Sequence, residues 1–272
     1  MKLSIIVPIY NEGLNAGRLA ENLMSRAKGE DEFEILLCND DSQDDTASII
    51  DAIAREHAQV RSLHYQFRNP YLVRNAASQE AKGLYLGFSD SDVTFCDNYI
   101  SKIFNLIETG KQLIFGPYLP EPSGFFMRQI CDYEKYRLGY RKKHFPDLTT
   151  AYGGNMVVLK SAFENLGRFD CKRRGGDRDF CIRFYEKFGS VQAVYDPSLV
   201  CFHHEIKSVN DYVRRSVLYK KKHQMFEETF KRRISIFQEL QTLYSWKAAG
   251  DGSWLSALFL LAIMTQIKIR SL

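Results

Sequence analysis

Residues 84–92 read LYLGFSDSD, an apolar run that ends in two aspartates separated by a serine. The run 84–88 predicts a buried β-strand, and the triplet predicts a turn directly after it. Two carboxylates one residue apart on such a turn can face one hard divalent cation, whose other ligands are phosphate oxygens and water. Such triplets are also common in plain solvated turns, but the position after a buried strand favours a cation.

Three similar apolar runs precede this strand and alternate with helical patterns. The strands are predicted at 3–7, 34–38 and 60–65, and the helices at 11–28, 44–57 and 74–83. This alternation predicts an α/β fold with a doubly wound, mostly parallel sheet. Ligands of such sheets bind beyond the carboxyl ends of the strands, where this sequence carries Glu12, Asp40, Asp90 and Asp92.

Asp40 lies in the segment CNDDSQDDT, 38–46, after the second predicted strand. An exposed carboxylate at this position would accept hydrogen bonds from a nucleobase or a ribose hydroxyl. The alternative is that Asp40, Asp41 and Ser42 form only a turn and a helix cap.

The second half of the chain is less regular. Strands are predicted at 153–159 and 191–195, and helices at 125–143, 177–188 and 209–230. Gly175 and Gly176 open the helix that carries Asp177, so another molecule could approach the backbone closely there. Asp177 could act as a general base on an acceptor hydroxyl, or it could simply cap its helix.

A pair of histidines and a run of three lysines each have two interpretations. His203 and His204 follow a strand-like run, 198–202, so a neutral imidazole could complete a metal site that the aspartates begin. One packed and one solvated histidine is the equally simple alternative. Lys220–Lys222 could hold a diphosphate, although a solvated helix face is the better interpretation.

Composition and charge exclude several classes of protein. Hydrophobic residues make up 45% and charged residues 26%, which excludes a disordered chain and a polytopic membrane protein. The six cysteines form no CxxC motif, which argues against structural zinc and fits a reducing cytosol. Residues 1–127 carry 11 basic and 18 acidic side chains, a net charge of −7, and residues 128–272 carry 26 and 15, a net charge of +11. The basic half would suit phosphates, an anionic acceptor or a membrane surface.

The C-terminal run Trp254–Met264, WLSALFLLAIM, is shorter than the roughly 20 residues that span a bilayer. A helix at the membrane interface, a helix packed on the core or a partner subunit, and an inserted segment all remain open. The basic residues upstream favour the first, because anionic headgroups attract them.

Four segments in order resemble family 2 glycosyltransferases: SIIVPIYNE at 4–12, NDDSQDDT at 39–46, RNAASQEAKGLYLGFSDSD at 74–92, and GGDRDFCIRF at 175–184. The resemblance covers about residues 3–205. It implies a GT-A fold with a Rossmann-like nucleotide-binding half and a nucleotide-diphosphate sugar as donor. The expected organisation is a glycosyltransferase domain at 1–205, with a nucleotide-sugar half at 1–92 and an acceptor half at 93–205, and a basic helical extension with an apolar tail at 206–272.

The resemblance also implies roles for individual residues. The nucleotide-sugar site would consist of Pro8, Tyr10, Glu12, Asp40, Arg74, Asp90 and Ser91. Mn²⁺ or Mg²⁺ would be bound by Asp90 and Asp92, with Asp92 as the direct ligand, and by His203 or His204. Asp177 matches the catalytic base, and Gly153, Gly154 and Asn155 match the floor of the acceptor site.

Three positions depart from the family pattern. Asn39 replaces the first acid of the DDGS turn, Asp41 replaces its glycine, and Gly176 replaces the glutamate of the ED pair that Asp177 completes. The first could shift the ribose or base contacts, and the last leaves Asp177 without its acidic neighbour. The QxxRW motif of processive synthases is absent, which indicates a single transfer.

The resemblance therefore implies a metal-dependent, inverting transfer of a sugar to a hydroxyl of a glycan or lipid-linked acceptor. A UDP-sugar is the favoured donor and a GDP-sugar is possible. The expected location is the cytoplasm, peripheral on the inner face of the cell membrane. The leading alternative is a non-catalytic nucleotide-sugar or polyanion binder on the same fold. A nucleotidyltransferase would need a glycine- and lysine-rich loop at 8–12, where this chain has PIYNE, so the sequence argues against that class. We expect no nucleic-acid partner.

Overall fold

The computed structural model describes residues 1–27, 29–171, 175–230, 235–250 and 252–271, with the backbone alone at 220–230 and 236. The side chains of Lys220–Lys222 therefore lie outside the described part. The chain forms two compact units, one of Met1–Tyr118 with Thr150–Cys201, the other of Leu119–Thr149 with Phe202–Leu272. The predicted boundaries at 92 and 205 stay predictions.

The strands, numbered along the chain, are short except for the first three. They are β1 (Leu3–Ile9), β2 (Phe33–Asp40), β3 (Val60–Tyr65), β4 (Tyr85–Ser89), β5 (Val93–Phe95), β6 (Leu113–Phe115), β7 (Tyr118–Pro120), β8 (Asn155–Leu159), β9 (Ala193–Tyr195) and β10 (Cys201–His203). The helices are α1 (Gly13–Ala27), α2 (Thr46–Glu56), α3 (Pro70–Glu80), α4 (Tyr99–Ile107), α5 (Gly124–His144), α6 (Lys160–Asn165), α7 (Gly176–Phe188), α8 (Val209–Phe230), α9 (Ile236–Ala248) and α10 (Trp254–Ser271).

Within the described part of the first unit, seven strands form one sheet in the order β3-β2-β1-β4-β8-β6-β9. β1 is parallel to β2 and β4, β2 is parallel to β3, and β6 is parallel to β9, whereas β8 is antiparallel to β4 and β6. The predicted doubly wound, mostly parallel sheet is confirmed. Because β2, β1 and β4 are parallel neighbours, the residues that follow them meet at one edge of the sheet.

Apolar side chains fill both faces of this sheet. α1, α2 and α4 pack with one face through a core that includes Leu19, Leu23 and Ile103. α3, α6 and α7 pack with the other through a core that includes Phe88, Phe163 and Phe180. Strands buried on both faces read as continuous apolar runs, which is why the sequence located them.

The beginning of α3 differs from the predicted helix at 74–83. The helix begins at Pro70, four residues earlier, and Asn69 caps it by accepting hydrogen bonds from the N–H groups of Tyr71 and Leu72. An asparagine followed by proline is a helix-start signal that apolar spacing alone overlooks. The extra turn brings Tyr71 into the helix, close to the residues described below.

The second unit has its own core, formed by α5, α8, α9 and α10. Its buried members are Met127, Ile130, Tyr133, Val213, Leu243, Trp246, Ala257, Leu260 and Ile263. In the described ranges, α10 is the single helix that is long and apolar enough to cross a membrane, by length and composition only. About 28% of that apolar window is buried within the unit.

Candidate functional site

The loops after β1 and β2 are tied together by hydrogen bonds between backbone and side chains. The N–H of Asn11 donates to Ser42 Oγ at 2.9 Å, and the N–H of Gln43 donates to Asn11 Oδ1 at 2.8 Å. The N–H of Glu12 donates to Thr46 Oγ1 at 3.0 Å. Residues that sequence reasoning assigned to separate motifs therefore form one edge of the site.

Asp40 is buried, which corrects the expectation of an exposed carboxylate. Its Oδ1 accepts hydrogen bonds from the N–H groups of Phe67 and Arg68, both at 2.8 Å, and its Oδ2 accepts one from the N–H of Asn69 at 2.7 Å. With only 3% of the residue exposed, the carboxylate fixes the segment 67–69 ahead of α3. The predicted direct contact of Asp40 with a base stays a prediction.

A partly open surface lies beside Asp40. Asp41 Oδ2 accepts a hydrogen bond from Arg68 Nε at 2.7 Å, and the Arg68 guanidinium lies 5.6 Å from the ring centroid of Tyr10. Tyr10 is exposed, and Pro8, at the end of β1, is partly exposed. The φ of Asp41 is 62°, in the left-handed region that glycine adopts most readily.

Asp90 is held on both sides. Its Oδ1 accepts a hydrogen bond from Arg74 Nη2 at 2.6 Å, and its Oδ2 accepts one from the Tyr118 hydroxyl at 2.8 Å. Burial and the nearby Asp90 carboxylate raise the pKa of Tyr118 well above its usual value, so its hydroxyl stays a donor. Arg74 is itself almost completely buried.

Ser91 and Asp92 continue the same turn. Ser91 Oγ donates to Glu12 Oε2, which joins the ends of β1 and β4. Asp92 is buried and offers carboxylate oxygens, the ligand type that Mg²⁺ and Mn²⁺ prefer. The predicted role of Asp92 as the direct metal ligand stays a prediction.

Gly153 and Gly154 lie where side chains converge. A Cβ on Gly154 would lie 2.4 Å from Tyr118 Cε2 and 2.7 Å from Asp90 Oδ2. A Cβ on Gly153 would lie 3.6 Å from Arg74 Nη1 and 3.7 Å from the Cβ of Asp177. Gly154 therefore lets the segment pack closely on Tyr118 and Asp90, whereas a Cβ on Gly153 would make ordinary contacts with Arg74 and Asp177.

Asn155 forms hydrogen bonds within the first unit, and its predicted contact with an acceptor stays a prediction. Its Nδ2 donates to the carbonyls of Pro117 and Leu199 at 2.9 and 2.8 Å, and its Oδ1 accepts from the Tyr99 hydroxyl at 2.7 Å. Only 1% of the residue is exposed. Its amide ties β8 to two loops of the first unit.

Asp177 lies in the first turn of α7 and is partly exposed. Its Oδ2 accepts a hydrogen bond from the N–H of Gly153 at 3.2 Å, and its Oδ1 lies 3.5 Å from the Tyr71 hydroxyl. Burial and the Asp177 carboxylate raise the pKa of Tyr71, which keeps that hydroxyl protonated. The carboxylate is thus oriented but still accessible.

The structure accounts for the departure at Gly176. A Cβ there would lie 2.9 Å from the carbonyl oxygen of Asp170 and 3.1 Å from the Tyr71 ring. The ring of Tyr71 occupies the space that a glutamate side chain would need. Asp179, the other acid of this turn, forms an ion pair with Arg183 at 2.6 Å, so these two residues are structural.

The two histidines lie in the second unit. His203 is buried, and its Nδ1 accepts a hydrogen bond from the N–H of Glu205 at 3.2 Å. His204 is partly exposed and uses Nδ1 in a contact with Glu121 Oε1. Both histidines have partners within the second unit, and their predicted role as metal ligands stays a prediction.

Sequence reasoning missed three contributors to the site. Tyr118 and Tyr71 carried no signal, because an isolated tyrosine after a strand or within a helix is most simply explained as packing. No sequence pattern indicated Arg68 either, because its φ of 50° and its contact with Asp41 depend on the fold.

Residues 4–167, more than half of the chain, match the family model described as glycosyl transferase family 2. Glycosyltransferase GlyG of Streptococcus pneumoniae is 29% identical over 118 residues, which are 43% of this chain and 38% of GlyG. The GalNAc(5)-diNAcBac-PP-undecaprenol beta-1,3-glucosyltransferase of Campylobacter jejuni is 26% identical over 193 residues, 68% of this chain and 60% of that protein. The chain thus matches less than two thirds of the length of either relative.

Among solved structures, the mannosyltransferase PcManGT from Pyrobaculum calidifontis, in complex with GDP-Man and Mn²⁺, superposes with a TM-score of 0.65 at 14% identity. The alignment covers 99% of this chain and 86% of that one. At this identity the likeness establishes the fold, a GT-A architecture, and nothing about the substrate.

Proposed function

Because this chain belongs to glycosyl transferase family 2, we propose that it transfers a single sugar from a nucleotide-diphosphate sugar to an acceptor hydroxyl, with inversion at the anomeric carbon. The observation that carries the proposal is the convergence of two acids, Asp90 and Asp177, on Arg74 and the two glycines of the first unit, with Asp92 two residues after Asp90. Such a site can bind a diphosphate and a nucleophile side by side.

Asp177 is the proposed general base. Its carboxylate takes the proton of the acceptor hydroxyl as that oxygen attacks the anomeric carbon from the face opposite the diphosphate. The N–H of Gly153 holds one carboxylate oxygen at 3.2 Å, which fixes the orientation of the side chain. General bases of this kind contribute about 10²–10⁴-fold to a rate.

Asp92 is the proposed direct metal ligand, and a bound Mn²⁺ or Mg²⁺ would offset the negative charge that develops on the leaving diphosphate. Its carboxylate offers the oxygen ligands that these cations prefer. The role predicted for His203 or His204 as a further ligand stays a prediction.

We propose that the nucleotide lies against Pro8, Tyr10 and Glu12, next to Asp41 and Arg68. A UDP-sugar is the favoured donor and a GDP-sugar the second candidate. Tyr10 and Arg68 form an exposed cation–π pair, on which a base can stack. Asp40 contributes indirectly, because it positions the backbone of Arg68.

The proposed acceptor is a glycan or lipid-linked hydroxyl, which would approach Asp177 over Gly153 and Gly154. The Campylobacter relative, whose name gives an undecaprenol-linked acceptor, supports the lipid-linked class. The proposed place of action is the cytoplasm, at the inner face of the membrane.

Calorimetry with UDP and GDP, each with and without Mn²⁺, tests the donor site. We expect one nucleotide to bind tightly only with the metal, and Asp92→Ala to abolish that dependence. Asp179→Ala is the control for losing an acid, since Asp179 pairs with Arg183 outside the donor site. Nucleotide binding that is the same with and without the metal, and the same in Asp92→Ala, would contradict the proposed site.

Asp177→Asn tests the base. We expect transfer to fall at least about 100-fold while nucleotide binding is retained. NMR of the product's anomeric centre tests inversion. If transfer survives Asp177→Asn unchanged, the base is another residue. If a folded protein binds the nucleotide and turns over none of a panel of donors, the non-catalytic alternative, which the Gly176 departure favours, replaces the enzyme.

A further inference from the structure

We propose that the second unit docks on an anionic membrane surface through one apolar face of α10 and the adjoining start of α5. This surface belongs to the second unit, whereas Asp92 and Asp177 belong to the first. Its residues would hold the protein at the membrane that the proposed function invokes.

The helix α10 is apolar on both sides. Ala257, Leu260 and Ile263 face the core of the unit, as expected for a packed helix. On the other side Leu255 is 65% exposed and Leu258 is 62% exposed. Surface helices of globular proteins carry polar side chains on their outer face, whereas the first half of this helix exposes Trp254, Leu255, Leu258 and Leu261.

The exposed apolar side chains lie on α10 and at the start of α5. A groove of about 530 Å³ on the outer face of α10 is lined by apolar Leu258, Leu261, Ala262 and Ile269, together with Thr265, Gln266 and Arg270. At the other end, Phe126 on α5 packs on Phe259 with 4.5 Å between ring centroids, and the exposed ring of Phe125 lies next to Phe126. Contiguous exposed patches of this kind mark sites of association.

Charge identifies the occupant. The second unit carries 18 Lys and Arg against 10 Asp and Glu, a net charge of +8, and α10 contains neither Asp nor Glu. Exposed Arg128, Lys268 and Arg270 lie on the two helices that form the patch. Lys247 lies 4.9 Å from the ring of the exposed Trp254. Apolar side chains with basic and tryptophan neighbours match an anionic lipid interface, whereas the shared positive charge opposes pairing with a second copy.

The test is sedimentation of the full chain with vesicles of phosphatidylcholine alone or mixed equally with phosphatidylglycerol. We expect binding to the anionic vesicles, weaker binding at high salt, and a partition coefficient at least about tenfold lower for the double variant Leu255→Asp/Leu258→Asp. Both side chains are largely exposed, so we expect the variant to fold, which circular dichroism checks.

The matched control is Leu84→Asp/Val191→Asp, which adds the same charge at apolar side chains of the first unit that are 60% and 69% exposed. We expect it to bind vesicles like the wild type. No binding of the wild type to either vesicle, or an equal loss in the control, would overturn the proposal. So would a dimer in light scattering that Leu255→Asp/Leu258→Asp dissociates while vesicles stay unbound.

The two proposals fail separately. Leu255→Asp/Leu258→Asp should leave metal-dependent nucleotide binding unchanged, and Asp92→Ala should leave vesicle binding unchanged. Loss of vesicle binding in a protein that still binds nucleotide concerns the membrane surface alone.

Discussion

At the scale of single residues, Gly154 determines the geometry of Asp90. An added Cβ would lie 2.4 Å from the Tyr118 ring, closer than nonbonded atoms approach, so Tyr118 must move and release its hydrogen bond to Asp90. We expect Gly154→Ala to weaken metal-dependent nucleotide binding at least about tenfold, or about 1.4 kcal/mol, in calorimetry. Gly17→Ala is the control, because its Cβ has an ordinary contact of 3.6 Å with Ile53. Unchanged binding in Gly154→Ala would show that Tyr118 does not position Asp90.

A substitution at Asp40 tests whether this acid of the 39–46 motif stabilises the folded protein. Its carboxylate accepts three backbone N–H bonds, and an amide in its place would leave a buried N–H facing a donor. We expect Asp40→Asn to lower the free energy of unfolding by about 1–3 kcal/mol in urea titrations. The half-buried neighbour Asp41, whose partner Arg68 is exposed, gives the control Asp41→Asn, with a change below about 1 kcal/mol. Equal small effects would return Asp40 to a role in direct binding.

At the scale of elements, the N-terminus of α3 positions two side chains of the candidate site. Asn69 caps the helix, and the helix carries both Tyr71 and Arg74. We expect Asn69→Ala to cost about 1 kcal/mol of unfolding free energy, and Asn69→Ser, which keeps a capping oxygen, to cost a few tenths. Denaturant titrations of the three proteins measure this difference. An equal loss of unfolding free energy in both variants would mean that the hydrogen bond from the Asn69 amide to the Cys171 carbonyl contributes more to stability than the cap does.

The second unit has an acid-sensitive contact between helices. Glu134 on α5 is buried, which raises its pKa, but the contacts with Arg137 and Tyr212 outweigh burial and lower it below the usual 4.5. Its stabilisation is therefore complete above about pH 4.5 and is lost as the pH falls through the lowered value. We expect Glu134→Gln to cost about 2–3 kcal/mol at pH 7 and less at pH 4. The exposed Glu164→Gln should show no such difference between the two pH values.

The sequence predicted the strands that are buried on both faces. It did not predict the places of side chains whose contacts are with residues distant in the sequence. β1, β2 and β4 follow from continuous apolar runs, and the acids at their ends follow from the rule for parallel sheets. The place of Asp40 did not follow, because burial of a carboxylate depends on a backbone segment 27 residues away. Tyr118 is similar, since only the fold brings it to Asp90.

At the scale of the whole molecule, the units carry opposite charge. The second has a net charge of +8, and the remaining chain has 19 basic and 23 acidic side chains, a net charge of −4. The sequence indicated this asymmetry from its two halves, but the chain segment 119–149 belongs with the C-terminal helices, which no linear boundary predicts. The acids that could hold a cation and the basic residues that suit a membrane thus belong to different units.

Thermal unfolding tests the donor site in the intact chain. A ligand that binds only the folded state at 100 times its Kd stabilises that state by about 2.7 kcal/mol, which for a domain of this size raises Tm by about 5–10 °C. We expect this rise with nucleotide and Mn²⁺ together, and little from either alone, because Asp92 and the diphosphate complete the metal's ligands jointly. A chelator should reverse the rise, and Asp92→Ala should prevent it. The vesicle-binding variant Leu255→Asp/Leu258→Asp should show the full rise, since its changes lie outside the first unit. A rise that persists in chelator would mean that the nucleotide binds without the metal, and the role proposed for Asp92 would be wrong.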